Sequence, residues 1–269
     1  MRWLLACCLC LFAATALAER LRLDGPMLQG GLILGQTEPG ARVTLDGRAV
    51  RVSGEGSFVF GFGWDFAGPA RLAVHLPDGS LLERALTVEK RTYKEQRIDG
   101  LPKKMVTPPA EVLERIRREN AAIKAVRLRD SETPWFAGGF DWPVKGIVTG
   151  VFGSRRILNG QPRRPHFGVD VAAPLGTPVA APADGVVALA EPDLYYTGGT
   201  VMLDHGHGLT SVYSHLQTVT AVVGARVRRG EAIGTLGGTG RATGPHLDWR
   251  INWFEQRLDP ALLVGPMPK

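Results

Sequence analysis

The chain has very little cysteine. Its three cysteines, Cys7, Cys8 and Cys10, all lie within the first ten of 269 residues. If that segment is removed on export, the mature protein carries no cysteine, which excludes disulfides and thiolate metal ligands. Any metal in the mature protein would then be bound by histidine, aspartate or glutamate.

Long apolar runs are equally scarce. The run at residues 3–17 follows Arg2 and ends in Ala16-Leu17-Ala18 before Glu19. At about 15 residues it is shorter than the roughly 20 that cross a bilayer. We interpret residues 1–18 as a signal peptide and expect export to the periplasm or cell envelope. The alternative is a lipoprotein, because Leu4-Leu5-Ala6-Cys7 resembles a lipidation box, although only six residues would precede that cysteine.

Nucleic-acid-binding motifs are absent, and the charge excess is small. The chain has 32 basic and 26 acidic residues, a formal net charge of +6. Loss of Arg2 leaves 31 basic residues against 26 acidic ones, or +5. A moderate positive charge favours polyanionic surroundings. For an exported protein these are envelope polymers and lipid headgroups, and we expect no nucleic-acid partner.

Residues 19–90 are predicted to form a small β-sandwich of the immunoglobulin-like kind. Short β-type runs such as Arg42–Leu45 and Ser57–Phe60 alternate with turn signals at Pro39-Gly40 and Asp46-Gly47. The lone His75 is interpreted as a strand residue beside a turn. We expect this domain to serve as a binding or spacing module, with an envelope protein as a possible partner.

Residues 91–134 are predicted to be a basic linker followed by one connecting amphipathic helix. Apolar residues recur near helical spacing between Ala110 and Arg129. Residues 93–109 precede the second domain closely enough to suggest that they lie across its groove as a brake.

Residues 135–269 are predicted to form a second, mainly antiparallel β domain. No helical period of useful length competes there, and glycine and proline separate the β-type runs. The runs are Ile147–Thr149, Gly185–Leu189, Thr200–Leu203, Thr210–Tyr213 and His246–Ile251.

Histidines concentrate in this second domain, which suggests a functional site. His205 and His207 occupy a glycine-rich turn and are interpreted as structural. The five of the six histidines that fall in the domain are His166, His205, His207, His215 and His246.

Two histidine–aspartate pairs are candidates for metal binding. His166 and Asp170 would lie ~13 Å apart in a straight strand, so a kink or bulge at Gly168 would be needed to bring them together. His246 and Asp248 are two residues apart, which places both side chains on the same face of a strand, with Cα atoms ~7 Å apart. His215 presents another imidazole in a strand context. Each pair is weak evidence alone.

Several motifs, taken in order from about Pro143 to Trp253, resemble the lysostaphin/LytM-type zinc metalloendopeptidases, which cleave bacterial peptidoglycan. These motifs are Val151-Phe152-Gly153-Ser154-Arg155, His166-Phe167-Gly168-Val169-Asp170, Ala172-Ala173-Pro174-Leu175-Gly176-Thr177-Pro178-Val179, Asp184-Gly185-Val186-Val187, Asp204-His205-Gly206-His207-Gly208, Tyr213-Ser214-His215-Leu216 and Gly244-Pro245-His246-Leu247.

The resemblance implies that His166 and Asp170 are Zn²⁺ ligands and that His215 and His246 are catalytic. The family pattern ends in His-x-His with the second histidine on zinc, whereas this chain has Asp248 there. We take Asp248 as the third ligand, because a carboxylate is competent to bind zinc. One imidazole and two carboxylates give zero formal charge with Zn²⁺, so the reacting water would be less acidified than in the family.

The expected function is therefore a zinc endopeptidase acting on peptide stems or cross-links of peptidoglycan. The alternative is a weak or inactive LytM-like regulator that activates cell-wall amidases.

Overall fold

The computed structural model describes residues 20–268. The predicted signal peptide and all three cysteines lie outside these residues. Within them, no helix combines the length and the apolar character needed to span a bilayer.

The first seven strands form two antiparallel sheets that share one buried core. One sheet has the order β1-β2-β5 and the other the order β4-β3-β6-β7. Ile33 and Phe60 of the first sheet and Val43, Leu72 and Val74 of the second belong to one cluster of buried residues. The strands are β1 (Leu21–Asp24), β2 (Leu32–Thr37), β3 (Arg42–Leu45), β4 (Arg48–Val50), β5 (Ser57–Gly61), β6 (Pro69–His75) and β7 (Leu81–Thr87).

The connecting segment contains more regular structure than the single helix predicted from the sequence. A strand, β8 (Glu95–Ile98), and a short helix, α1 (Lys103–Val106), precede the main helix, α2 (Leu113–Arg127). Strand β8 pairs in parallel with a strand of the C-terminal domain, β10 (Arg155–Leu158). Because a parallel partner lies far away in sequence, local periodicity gives no signal for it.

Helix α2 forms because its 15 residues contain no glycine or proline and place apolar side chains on one face. Ile116 and Val126 are buried on that face. Val126 packs against Leu189 and Val212 of the C-terminal sheet. The helix therefore lies on the domain that carries most of the histidines.

The C-terminal domain is a mainly antiparallel β structure, as predicted. A ten-stranded sheet has the principal order β17-β14-β15-β16-β19-β12-β9, while β13, β18 and β20 pair along its margins. The ten strands are β9 (Ile147–Gly150), β12 (Val169–Ala172), β13 (Pro178–Ala180), β14 (Gly185–Leu194), β15 (Gly198–Asp204), β16 (Leu209–Val219), β17 (Arg226–Val227), β18 (Ala232–Leu236), β19 (Leu247–Trp253) and β20 (Gln256–Leu258). The short strand β11 (Gln161–Pro162) pairs with β10 in a separate three-stranded sheet of order β11-β10-β8. Short 3₁₀ turns occur at Ala110–Val112, Trp135–Gly138 and Pro260–Leu262.

Three central strands of this sheet bring the candidate site residues together. Asp170 on β12 is the direct antiparallel partner of Asp248 on β19. Asp248 is in turn the partner of Ser214 on β16, one residue before His215. The sheet register therefore places chain segments about eighty residues apart in sequence at one point.

Candidate metal centre

The three predicted ligands form one buried cluster. His166, Asp170 and Asp248 each offer a ligand atom, and these atoms lie within 4.8 Å of one another. Their residues are only 1%, 6% and 1% exposed. A buried charge must be paired or must bind a metal, so a cluster with two buried carboxylates requires positive charge nearby.

A bend in the chain brings His166 to Asp170, as the glycine between them suggested. The chain bends at Gly168 before β12 begins at Val169. His166 Nε2 then lies 3.0 Å from Asp170 Oδ1. A Cβ at position 168 would lie 2.5 Å from the Trp249 backbone oxygen, so glycine is required here for the close approach of β19.

A second glycine makes room for the Asp170 carboxylate. A Cβ at Gly150 on the neighbouring strand β9 would lie 2.2 Å from Asp170 Oδ2. Any side chain at this position would displace the carboxylate from the cluster.

Two arginines donate hydrogen bonds to these carboxylates. Arg156 Nη2 donates to Asp170 Oδ2 at 2.5 Å. Arg250 Nε donates to Asp248 Oδ1 at 2.9 Å, and its Nη2 donates to Asp248 Oδ2. The charge count made from the sequence covered only the three candidate ligands and the metal, and it did not include these two guanidinium groups. With them, the site would carry +2 rather than zero when Zn²⁺ is present.

Both carboxylates stay ionised despite their burial. Burial alone would raise the pKa of Asp248, but the charge of Arg250 beside it holds that pKa well below its usual range. Burial also opposes ionisation of Asp170, while His166 and Arg156 outweigh it and lower its pKa. The cluster therefore presents two anionic ligands at neutral pH.

The donor atoms fit a zinc ion. His166 Nε2 and Asp170 Oδ1 are buried without a hydrogen-bond partner among the described residues, although they face each other. Such paired, unsatisfied atoms are what a shared cation would satisfy. One imidazole and two carboxylates are a competent zinc set, and they leave a coordination position open for water or substrate. Asp248 is the less available ligand, since both its oxygens already accept from Arg250.

The two predicted catalytic histidines lie beside this cluster. The ring centres of His215 and His246 are 4.7 Å apart. His246 Nε2 lies 4.0 Å from Asp170 Oδ1. His215 has a left-handed backbone with φ of 68°, which is unusual for a residue other than glycine and is often found at functional sites.

His215 is held as a neutral imidazole. Burial, followed by the neighbouring His246, lowers the pKa of His215 to about 4. Its Nδ1 lies 2.8 Å from the Thr239 carbonyl oxygen, which accepts only, so Nδ1 carries the proton. The lone pair of His215 is therefore on Nε2, where it is able to accept a proton.

An open groove of about 290 Å³ gives access to the site. Asp170, His215 and His246 lie along it, together with Arg156 and Arg241. The Arg241 guanidinium lies 4.6 Å from the centre of the Tyr196 ring. Within residues 20–268 Arg241 makes no ion pair, so the groove carries positive charge that is not neutralised by the protein.

The connecting segment forms one wall of this groove. Gln96, Ile98 and Leu101 line it together with the histidines. Residues 93–109 thus include part of the wall that substrate would contact. Their action as a brake stays a prediction.

The remaining histidines have structural surroundings. His205 Nδ1 donates to the Asp184 carbonyl oxygen at 2.6 Å, and His205 Nε2 lies 2.7 Å from Ser211 Oγ. His207 Nε2 donates to the Glu132 carbonyl oxygen at 2.8 Å. His75 is exposed at the end of β6. None of the three belongs to the ligand cluster or lines the groove.

Sequence reasoning missed the two arginines. Arg250 follows Asp248 by two residues on a strand. The two-residue spacing that grouped His246 with Asp248 therefore also places the Arg250 side chain on that face. Arg156 had no comparable signal, because it reaches Asp170 from a different strand.

Comparison with known proteins identifies the family. The model of peptidase family M23 matches residues 164–260, which include every member of the site except Arg156. A solved structure of a putative M23 peptidase from Pseudomonas aeruginosa is 31% identical, covers 89% of this chain and 95% of its own, and superposes with a TM-score of 0.69. The chain belongs to peptidase family M23.

Curated relatives match a part of this chain. The DD-carboxypeptidase/endopeptidase Mpg of Neisseria meningitidis is 42% identical over 106 residues, which are 39% of this chain and 24% of that protein. The peptidoglycan DD-endopeptidase ShyC of Vibrio cholerae is likewise 42% identical over 106 residues, with the same coverage. The chain thus spans about a quarter of the length of these relatives.

Proposed function

We propose that this M23 protein is an exported, zinc-dependent endopeptidase that hydrolyses peptide stems or cross-links of bacterial peptidoglycan. The observation that carries the proposal is the position of His215 and His246, which lie in an open groove directly beside the buried His166, Asp170 and Asp248. The relative named as a peptidoglycan DD-endopeptidase supports the substrate class.

Zinc, held by His166, Asp170 and Asp248, would supply Lewis acidity that polarises the scissile carbonyl. His215 Nε2 accepts a proton, because the Thr239 carbonyl holds the proton of this neutral imidazole on Nδ1. His246 is better placed to meet substrate, since its side chain is 18% exposed. In its protonated form it donates to a developing oxyanion.

The charge of the groove suits an acidic peptide. Arg241 is without an ion-pair partner among the described residues. Within the same residues, Arg156 forms an ion pair with Asp170 alone. A guanidinium group binds carboxylates with two parallel hydrogen bonds. Peptidoglycan stems carry free carboxylates, and the exported location that residues 1–18 suggest would place the protein with this polymer.

One observation favours a second candidate function, a non-catalytic regulator of cell-wall amidases. Arg250 occupies both oxygens of Asp248. A carboxylate neutralised in this way has less need of a metal, and a groove without a metal would bind peptide without cleaving it.

A digestion assay separates the two candidates. Purified peptidoglycan is incubated with the mature protein in zinc or in chelator, and new amino termini are quantified by mass spectrometry. The enzyme predicts release in zinc, loss in chelator and loss in His166→Ala, with His75→Ala as the exposed-histidine control. Binding without release in any condition would instead support the regulator.

A further inference from the structure

A second cavity lies where the three parts of the chain meet. It has a volume of about 620 Å³, within the range of small-molecule sites. Its lining comes from the loop after β5, from helix α2, from the segment before β12, and from the β19–β20 turn with the first residues of β20. We call it the junction cavity. It shares no lining residue with the groove of the metal centre.

Basic side chains outnumber acidic ones in its lining. Lys124 is paired with Glu255, with Nζ and Oε1 3.5 Å apart. Arg127, Arg164 and Arg257 also line the cavity, and none of them forms an ion pair within residues 20–268. The lining thus contains four basic residues and two acidic ones, Glu255 and Asp65.

The two more enclosed arginines lack the partners that such burial normally requires. Arg127 Nε is buried without a hydrogen-bond partner in the described part of the chain. Arg257 Nη1 donates to the neutral Asn252 Oδ1 at 2.5 Å, and its guanidinium lies 5.6 Å from the centre of the Phe167 ring. Neither contact carries a negative charge, so the positive charge of Arg257 is not compensated.

Burial and neighbouring positive charges both oppose the charged form of these arginines, while Glu255 favours it. Burial, followed by the charges of Arg127, Arg250 and Arg164, lowers the pKa of Arg257 to about 9. Burial also lowers the pKa of Arg127. Arginine nevertheless keeps its proton at neutral pH, so the positive charge remains in the cavity until an anion neutralises it.

Aromatic surface lies next to this charge. Trp64 and Phe167 both line the cavity, with ring centres 5.8 Å apart. Their faces suit a ring or an apolar body, while the guanidinium groups suit an oxyanion. The volume exceeds what a bare oxyanion needs.

We propose that the junction cavity is a binding site, separate from the metal centre, for a carboxylate or phosphate group carried on a compact ring-bearing molecule. Arg127 and Arg257 bind the oxyanion, and Trp64 and Phe167 contact the ring. The assignment is independent of the proposed peptidase activity, because it rests on different residues and is tested by binding.

Isothermal titration calorimetry at constant ionic strength tests this site. The probes are glucuronate, glucose 6-phosphate and uncharged glucose, so that the carboxylate and phosphate sources are distinguished. We expect at least one charged sugar to bind at least tenfold more tightly than glucose. Equal affinities for all three probes would overturn the proposal.

Two variants on different elements locate the binding. Arg257→Gln and Arg127→Gln should each weaken binding of the charged sugar by about tenfold or more, as expected for loss of a charge-assisted hydrogen bond. The matched control is Arg118→Gln, an exposed arginine on α2 outside the cavity lining. If the control weakens binding as much as the two variants, or if neither variant weakens it, the junction cavity is not the site.

Thermal unfolding in low salt without ligand supplies a second readout. Loss of one uncompensated charge should leave Arg127→Gln at least as stable as the wild type, since repulsion is relieved. A clear drop in its Tm would show that Arg127 already has a structural partner, which would contradict the proposal.

Discussion

Arg250 binds both carboxylate oxygens of Asp248 from a position two residues further along the same strand. Asp248, the third candidate ligand, is therefore paired with a positive charge even in the absence of a metal. If zinc binds as proposed, it would share this carboxylate with Arg250, and the balance between the two would set the metal affinity of the site.

Replacement of Arg250 by glutamine should raise zinc affinity. By Coulomb's law, a unit charge ~6 Å from a divalent cation opposes binding by roughly 1.4 kcal/mol in water and roughly 5 kcal/mol at an effective dielectric of about 20, so we expect a gain in affinity of about tenfold or more. Competition with a chromogenic chelator measures the change, with Arg118→Gln as the control. Unchanged or weaker zinc binding in Arg250→Gln would show that Asp248 does not contact the ion.

The same variant should depend more on zinc for stability. Without Arg250, the apoprotein buries an unpaired Asp248 carboxylate, which costs several kcal/mol. We expect a lower Tm than the wild type in chelator and a larger rise in Tm on addition of zinc. Differential scanning calorimetry in both conditions checks this, and equal zinc-induced rises in the two proteins would count against it.

Replacement of Asp248 by histidine should move the pH profile of hydrolysis. The variant loses one negative charge at the site, so the reacting water becomes more acidic. The acid limb of activity should therefore lie at lower pH in Asp248→His than in the wild type. Peptidoglycan digestion from pH 5 to 9 measures both limbs, and superimposable profiles would indicate that Asp248 is not on the metal.

His215→Gln should lose activity while it retains its metal. Loss of a positioned proton acceptor typically lowers the rate by about 10²–10⁴-fold. Zinc content should stay at the wild-type level, because His215 is not in the ligand cluster. Single-turnover digestion and metal analysis are made on the same preparation, with His75→Gln as the control. Retained activity would remove His215 from the mechanism.

His205 should make the fold sensitive to acid. Burial lowers its pKa below the ordinary 6.5, so the unfolded chain takes up this proton at a higher pH than the folded one. Stability therefore falls as pH drops below about 6.5, by up to about 1.4 kcal/mol at pH 5.5 for this residue.

Urea unfolding at pH 7.5 and 5.5 measures that acid dependence. The difference in unfolding free energy between the two pH values should be smaller in His205→Asn, whatever its stability at pH 7.5. An equal difference in variant and wild type would show that His205 is protonated in the folded state.

The elements that were predictable are those specified by local pattern. The composition of residues 57–60 predicts a strand, and Gly168 indicates the bend that brings His166 close to Asp170. The pairing of β8 with β10 was missed, because it joins segments about sixty residues apart and leaves no period in the sequence.

The clustering of the candidate ligands was easier to predict than the charge around them. The candidates follow from motif and spacing, whereas the charge depends on which cations fold against them. Arg156 reaches Asp170 only through the packing of neighbouring strands. A count over the motif and a zinc ion therefore gives zero, whereas the same count with Arg156 and Arg250 included would give +2.

Zinc analysis of the purified mature protein tests the central claim most directly. After dialysis against metal-free buffer, inductively coupled plasma mass spectrometry should find about one zinc per chain in the wild type. His166→Ala should retain almost none, and Asp248→Ala clearly less than the wild type. Absence of zinc from the wild type, or equal zinc in all three proteins, would contradict a His166–Asp170–Asp248 metal centre.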